Sequence, residues 1–232
     1  MTAFNDMRTR LQYTDFSDDS VDPPVRGYLH LPSSASGDAL VLTHGAGSNA
    51  QAALLFALAL RFSAAGITVL RCDLPFRQRH PHGPPRPGDA PRDREGLRNA
   101  VNALQKMSVG RVFLSGHSYG GRQASMLSAA EPDLAGGLLL FSYPLHPPQQ
   151  PAQLRTQHLS KLRTPAFFVH GTRDPFGSIS EMEQAIKVVP ARTKLMKVDG
   201  AGHDLNFGKK TLEEKREDLP ELVLAAFQPF FS

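Results

Sequence analysis

One cysteine, Cys72, is all that this chain of 232 residues contains. No disulfide can therefore form within it, which agrees with a reducing, cytoplasmic setting. Long apolar runs are missing too. The longest, Ala52 to Leu60, stops at Arg61, well short of the ~20 residues that a membrane-spanning helix needs. The first residues, with Asn5, Asp6, Arg8 and Arg10, lack the apolar centre of a secretory signal. The net charge of +4 is spread over dispersed basic residues and no nucleic-acid motif accompanies it, so neither nucleic acid nor a membrane is expected as a partner. There are no internal repeats and no sign of a second domain. With 41% apolar and 21% charged residues the composition is that of an ordinary globular protein, and one α/β domain over residues 1–232 is expected.

What the chain does contain is an alternation of strands and helices. Leu11 to Phe16 and Val25 to Leu31 alternate as strands on either side of the turn Asp22-Pro23-Pro24. Ala39 to Leu42, Ile67 to Leu70, Val112 to Leu114, Leu138 to Phe141 and Ala166 to Val169 are short apolar runs, as expected of strands buried on both faces. Lys194 to Val198 is a further strand. Helices are predicted over Ala52–Ala65, Asp93–Met107, Ile179–Val189 and Leu219–Phe231, the last capped by Asp218. The alternation implies a mostly parallel sheet with helices on both faces, the first two strands forming an antiparallel edge.

Val112-Phe113-Leu114 runs into Gly116-His117-Ser118-Tyr119-Gly120-Gly121 and then a helical pattern: strand, G-x-S-x-G, helix. A serine at such a turn needs small neighbours, because the backbones entering and leaving it almost touch; Gly116, Gly120 and Gly121 supply the room. The following helix N-terminus favours negative charge beside Ser118. A serine hydroxyl needs a base to take its proton, and the base needs an orienting acid. On this architecture both belong on loops at the carboxyl ends of later strands, in the order Ser, acid, His. Asp174 follows the strand Ala166–Val169, and His203 is the one histidine beyond Lys194–Val198. Asp199 and Asp204 lie too near His203 in sequence, Glu181 and Glu183 fall within a helix, and Asp133 precedes a strand. Ala46 N–H, in the turn His44-Gly45-Ala46-Gly47, and Tyr119 N–H are the expected oxyanion-hole donors.

These segments, together with His170-Gly171-Thr172-Arg173-Asp174-Pro175-Phe176-Gly177 and Gly202-His203, resemble the α/β-hydrolase superfamily over nearly the whole chain. The HGTRDPFG and HGAG segments are most similar to a small, cap-less dienelactone-hydrolase-like group that includes testis-expressed hydrolase-like proteins and a scaffold subunit of a histone acetyltransferase complex. The resemblance implies an α/β-hydrolase fold and serine-dependent hydrolysis. Dienelactone hydrolases use a cysteine nucleophile where this chain has Ser118, so lactone specificity does not carry over.

Only Tyr143 to Thr164 separate two strands where many such enzymes insert a lid. That stretch is rich in proline, with one short helical piece around Gln153 to Leu162, so an open site is expected. Leu74 to Pro91 carries six prolines with Arg77, Arg79, His80, His82 and Arg86. Arg77 or Arg79 could receive an anionic substrate group; the other reading is a stiff, solvated loop. His80 and His82 lack the companions of a metal site, and neither metal nor cofactor is expected. Tyr119, Tyr143 and Phe76 line the pocket or belong to the core, and Cys72 reads as an inert apolar residue.

Three functions follow from different features. A serine esterase or thioesterase uses Ser118, Asp174 and His203 on a small-molecule acyl substrate, as a monomer or at most a weak homodimer. A nicotinamide-dependent oxidoreductase would use Gly45-Ala46-Gly47-Ser48-Asn49-Ala50 with Asp73. A non-catalytic interaction protein would keep the scaffold alone.

Overall fold

The computed structural model describes residues 13–206 and 213–232. Leu11, the expected start of the first strand, and the polar N-terminal residues Asn5, Asp6, Arg8 and Arg10 lie outside the described residues. Contacts gather the chain into two compact units, Met1–Phe113 and Leu114–Ser232.

In the first unit β1 (Thr14–Asp18), β2 (Val25–His30), β3 (Ala39–Thr43) and β4 (Thr68–Cys72) are ordered β1-β2-β4-β3. β1/β2 and β2/β4 are antiparallel and β3/β4 parallel, which gives the antiparallel N-terminal edge. Every residue of β3 and β4 is buried, the reason Ala39 to Leu42 reads as an unbroken apolar run, although β4 also buries Arg71. Helix α1 (Ala53–Ala64) packs on β4. It ends in a Schellman motif: Ile67 N–H reaches Phe62 O and Gly66 N–H reaches Ser63 O, with Gly66 at φ 94°.

The proline-rich stretch after β4 is not the loop expected. It holds α2 (Pro75–Arg79), and α3 (Asp89–Gln105) begins four residues before the predicted start. Pro75 and Pro91 each fall in a first helical turn, where a missing N–H costs nothing. Asp89 anchors the start of α3 by accepting Arg86 N–H at 2.6 Å, and Asp93 accepts Phe76 N–H at 2.9 Å.

In the second unit β5 (Val112–His117, whose first two residues belong to the first unit), β6 (Gly137–Phe141), β7 (Ala166–Gly171) and β8 (Thr193–Val198) lie in that order, with β6/β7 and β7/β8 parallel. Helix α4 (Tyr119–Ala130) packs on β6, α5 (Ile179–Ile186) on β8 and α6 (Glu213–Phe231) on β7. Between β6 and β7 a single 3-10 turn, Leu159–Lys161, replaces the predicted helical piece, and no cap domain is inserted. Helix α6 starts at Glu213, before the expected cap Asp218, because Glu213 to Glu217 are good helix formers and Pro220 is accommodated within the helix.

Three of the buried histidines have rings whose titration burial alters: His30 in the first unit, His117 and His170 in the second. Burial lowers the pKa of all three, that of His30 to about 4. The unfolded chain therefore binds protons below about pH 6.5 that the folded chain refuses, and stability rises with pH in that range. Denaturant titrations are expected to show stability falling as pH is lowered from about 6.5 towards 4. A flat profile over that window would contradict the burial of these rings.

Candidate active site

Ser118 stands between the end of β5 and the start of α4 at φ 50°, ψ −115°, a conformation that side-chain-bearing residues rarely adopt. Its strain is held by Ser118 N–H donating to Phe141 O at 2.8 Å and Arg122 N–H donating to Ser118 O at 3.0 Å. A Cβ on Gly116 would lie 2.5 Å from backbone atoms of Gly120 and Gly121, and one on Gly121 would lie 2.6 Å from Gly116 O. The expected close approach across this turn is thus present.

The loops after β7 and β8 are stitched together by Thr172 N–H to Val198 O (3.1 Å) and Arg173 N–H to Ala201 O (2.9 Å). Gly171 permits this, since a Cβ there would meet Ala201 O at 2.3 Å. The stitching carries Asp174 to His203. The Asp174 side chain is 0% exposed and that of His203 17%. His203 Nδ1 lies 2.9 and 2.8 Å from the two carboxylate oxygens, and Nε2 lies 2.8 Å from Ser118 Oγ. A carboxylate only accepts, so Nδ1 carries the proton and the Nε2 lone pair faces the serine hydroxyl. Asp174 Oδ1 also accepts Phe176 N–H at 2.8 Å. Three residues far apart in sequence form one hydrogen-bonded chain.

Two neighbours of His203 were not foreseen. Phe176 stacks on the imidazole, centroids 4.1 Å apart and planes 29° apart. On another side His117, 5.3 Å away, donates Nε2–H to His203 O at 2.9 Å. His117 sits at the variable position of G-x-S and Phe176 two residues past Asp174, so only their proximity in sequence to the site hinted at a part in it.

Three of the other acids are engaged elsewhere. Asp199 accepts from Thr172 Oγ1, Glu181 completes a capping box with Ser178, and Glu183 pairs with Lys197.

Tyr119 is the first residue of α4, where helix N–H groups point outward. In the first unit, the turn after β3 is tightly held. His44 Nε2 accepts Leu74 N–H at 3.1 Å, which leaves the proton on Nδ1 for Gly45 O at 2.8 Å. The carbonyl so gripped belongs to the peptide whose N–H is that of Ala46.

Arg77 and Arg79 are not placed as expected for receiving an anionic group. Arg77, 6% exposed, donates to four backbone carbonyls: Nε to Ser48 O (2.7 Å), Nη1 to His80 O (3.0 Å), and Nη2 to Ala46 O (2.8 Å) and Gly83 O (2.9 Å). Its guanidinium is a strut between two loops. Arg79 pairs with Asp89 at 2.6 Å at the start of α3. Tyr143 and Phe76 belong to the core; Tyr143 donates to Arg155 O, and burial pushes its hydroxyl up to about 12. Burial pushes the Cys72 thiol up to about 12 as well, so it is unreactive. Asp73, the acid that a dinucleotide site would need, spends Oδ1 on Ala50 N–H at 2.7 Å.

A model of the alpha/beta hydrolase domain family matches residues 36–230, and the chain belongs to that family. Within it, the chain is a small member, with no cap domain between β6 and β7. It is similar to an alpha-beta serine hydrolase homologue from Coxiella burnetii (14% identity, 92% of this chain and 96% of that one, TM-score 0.71). It is similar also to a dienelactone hydrolase from Anabaena variabilis (19%, 94% and 98%, 0.71). A third likeness is to XC6422 from Xanthomonas campestris, a serine hydrolase without lid (12%, 94% and 95%, 0.68). At these identities the solved structures establish a shared fold.

Gly116→Ala is expected to cost about 1–3 kcal/mol in denaturant titration, because no rotamer relieves a Cβ pressed on backbone. An unchanged midpoint would show that the turn can open without loss.

Proposed function

We propose that this protein is a serine hydrolase that cleaves carboxylic ester or thioester bonds of small acyl compounds through an acyl-enzyme. The hydrogen-bonded chain from Ser118 through His203 to Asp174 is the observation that carries the reading. Ser118 Oγ attacks the acyl carbon as its proton passes to His203 Nε2. Asp174 fixes the tautomer and stabilises the imidazolium. Tyr119 N–H, at the start of α4, is assigned to the developing oxyanion; by chain order the second donor is Ala46 N–H. Collapse expels the alcohol or thiol, which takes the proton from His203. Water, deprotonated by the same nitrogen, then releases the carboxylic acid and restores Ser118.

The absence of a cap between β6 and β7 favours substrates whose bulk projects into solvent. A dienelactone hydrolase among the proteins of the same fold acts, as its name states, on a lactone, which is an internal ester. That favours esters over amides. The lone buried cysteine supports a cytoplasmic setting, and we take the working form to be a monomer.

Ser118→Ala is expected to abolish labelling by a fluorophosphonate probe. Persistent labelling would move the nucleophile elsewhere, and no labelling of folded wild-type protein would favour the non-catalytic reading. Asp174→Asn is expected to lower kcat by about 10⁴, since the wrong tautomer then faces Ser118; a kcat close to wild type would remove Asp174 from the mechanism. A panel of p-nitrophenyl esters and acyl thioesters of graded chain length should show turnover that Ser118→Ala loses throughout.

A further inference from the structure

Arg71, on β4 in the first unit, is 2% exposed, yet among the described residues it has no ion pair. Its Nε donates to His30 Nε2 at 2.9 Å and its Nη1 to Ala50 O at 2.6 Å. Nη2 has no hydrogen-bond partner among the described residues. Buried cations are ordinarily paired, because an isolated charge away from water is costly. Here the partial compensation is aromatic: the guanidinium lies 4.8 Å from the ring centre of Tyr28 and 5.1 Å from those of Tyr13 and Phe56. Strand pairing sets this up, since Tyr28 on β2 is the direct partner of Arg71.

His30 does not supply a countercharge. An arginine Nε only donates, so His30 Nε2 is the acceptor and Nδ1 holds the proton, buried and without a hydrogen-bond partner. Burial and the neighbouring guanidinium keep the ring neutral at pH 7. The nearby carboxylate, Asp73, is turned to Ala50 N–H.

Beside the guanidinium is a cavity of about 230 Å³ lined by Tyr13, Tyr28, Gln51, Phe56 and Arg71. The lining is rich in donors. Tyr28 OH accepts from Gln51 Nε2 at 2.5 Å, which leaves its own proton to give. Tyr13 OH makes no hydrogen bond among the described residues, and Arg71 Nη2 keeps both of its protons. Among the described residues, no carboxylate lines the space and only one cation does. We infer that this cavity binds the carboxylate of a small organic acid, received by Arg71 Nη2 and the two phenols. One positive charge matches a monoanion, whereas a phosphate dianion would bring a second charge that nothing in the lining meets. The inference stands independently of the role of Ser118.

The chain has no tryptophan and four tyrosines, two of which line the cavity, so tyrosine emission reports on it directly. The full-length protein is titrated with sodium acetate at constant ionic strength, followed by tyrosine fluorescence and by calorimetry, with acetamide and inorganic phosphate as parallel arms. Saturable 1:1 binding of acetate is expected, tighter than that of phosphate, with none of acetamide. Arg71→Met is expected to weaken acetate binding about tenfold or more. Should that variant fail to fold, Tyr13→Phe removes one donor while leaving the ring over the guanidinium, and is expected to weaken binding severalfold. No saturable change with acetate, equal binding of acetamide, tighter binding of phosphate, or undiminished affinity in the folded variants would each overturn the assignment.

Discussion

A carboxylate with no access to water must be surrounded by donors, and the cluster of Ser118, His203 and Asp174 is built on that requirement at Asp174. Its oxygens take His203 Nδ1–H and Phe176 N–H, and the loop bearing His203 is stitched to the loop bearing Asp174 by backbone bonds that Gly171 alone leaves room for. Removing the imidazole would leave a buried charge short of a partner, a loss that commonly costs about 3–5 kcal/mol. The pair that the proposed mechanism uses therefore also holds the two loops together.

The imidazole is constrained from more than one direction. Phe176 covers a face of the ring, His117 grips its backbone carbonyl, and Asp174 takes its far nitrogen. Burial lowers the pKa of His117, so it offers a donor without adding a competing charge beside His203. Ser118 is held to its strained backbone geometry by β6 on one side and the first turn of α4 on the other. In the proposed mechanism, pre-organisation of this kind would let a weak nucleophile meet its base without searching.

Much of this was legible in the residues. Leu138–Phe141 and Ala166–Val169 declare themselves as strands because burial on both faces demands unbroken apolar side chains. The glycines around Ser118 mark a turn that little else can make, and strand order then leaves few positions for an acid and a histidine. Arg77 was less legible, because its partners at Ala46, Ser48, His80 and Gly83 are carbonyl oxygens that every residue has. The parts of His117 and Phe176 depend on a loop that returns from many residues away. Helix α2 was missed because prolines that usually punctuate a loop here open helical turns, and the early start of α6 because Asp218 and Glu221 looked like a complete cap. Local chemistry was readable; the destination of long side chains was not.

Arg77 ties four carbonyls from two separate loops to one planar group, and His44 adds a second clamp on the first of those loops. Neither loop can fray alone, since releasing either strands donors of the guanidinium in a space that water scarcely reaches. The two segments thus open and close as one cooperative patch, with a single local free energy between them. A glycine-rich turn, which by composition should be among the most pliant pieces of the chain, is thus tethered by an arginine some thirty residues downstream.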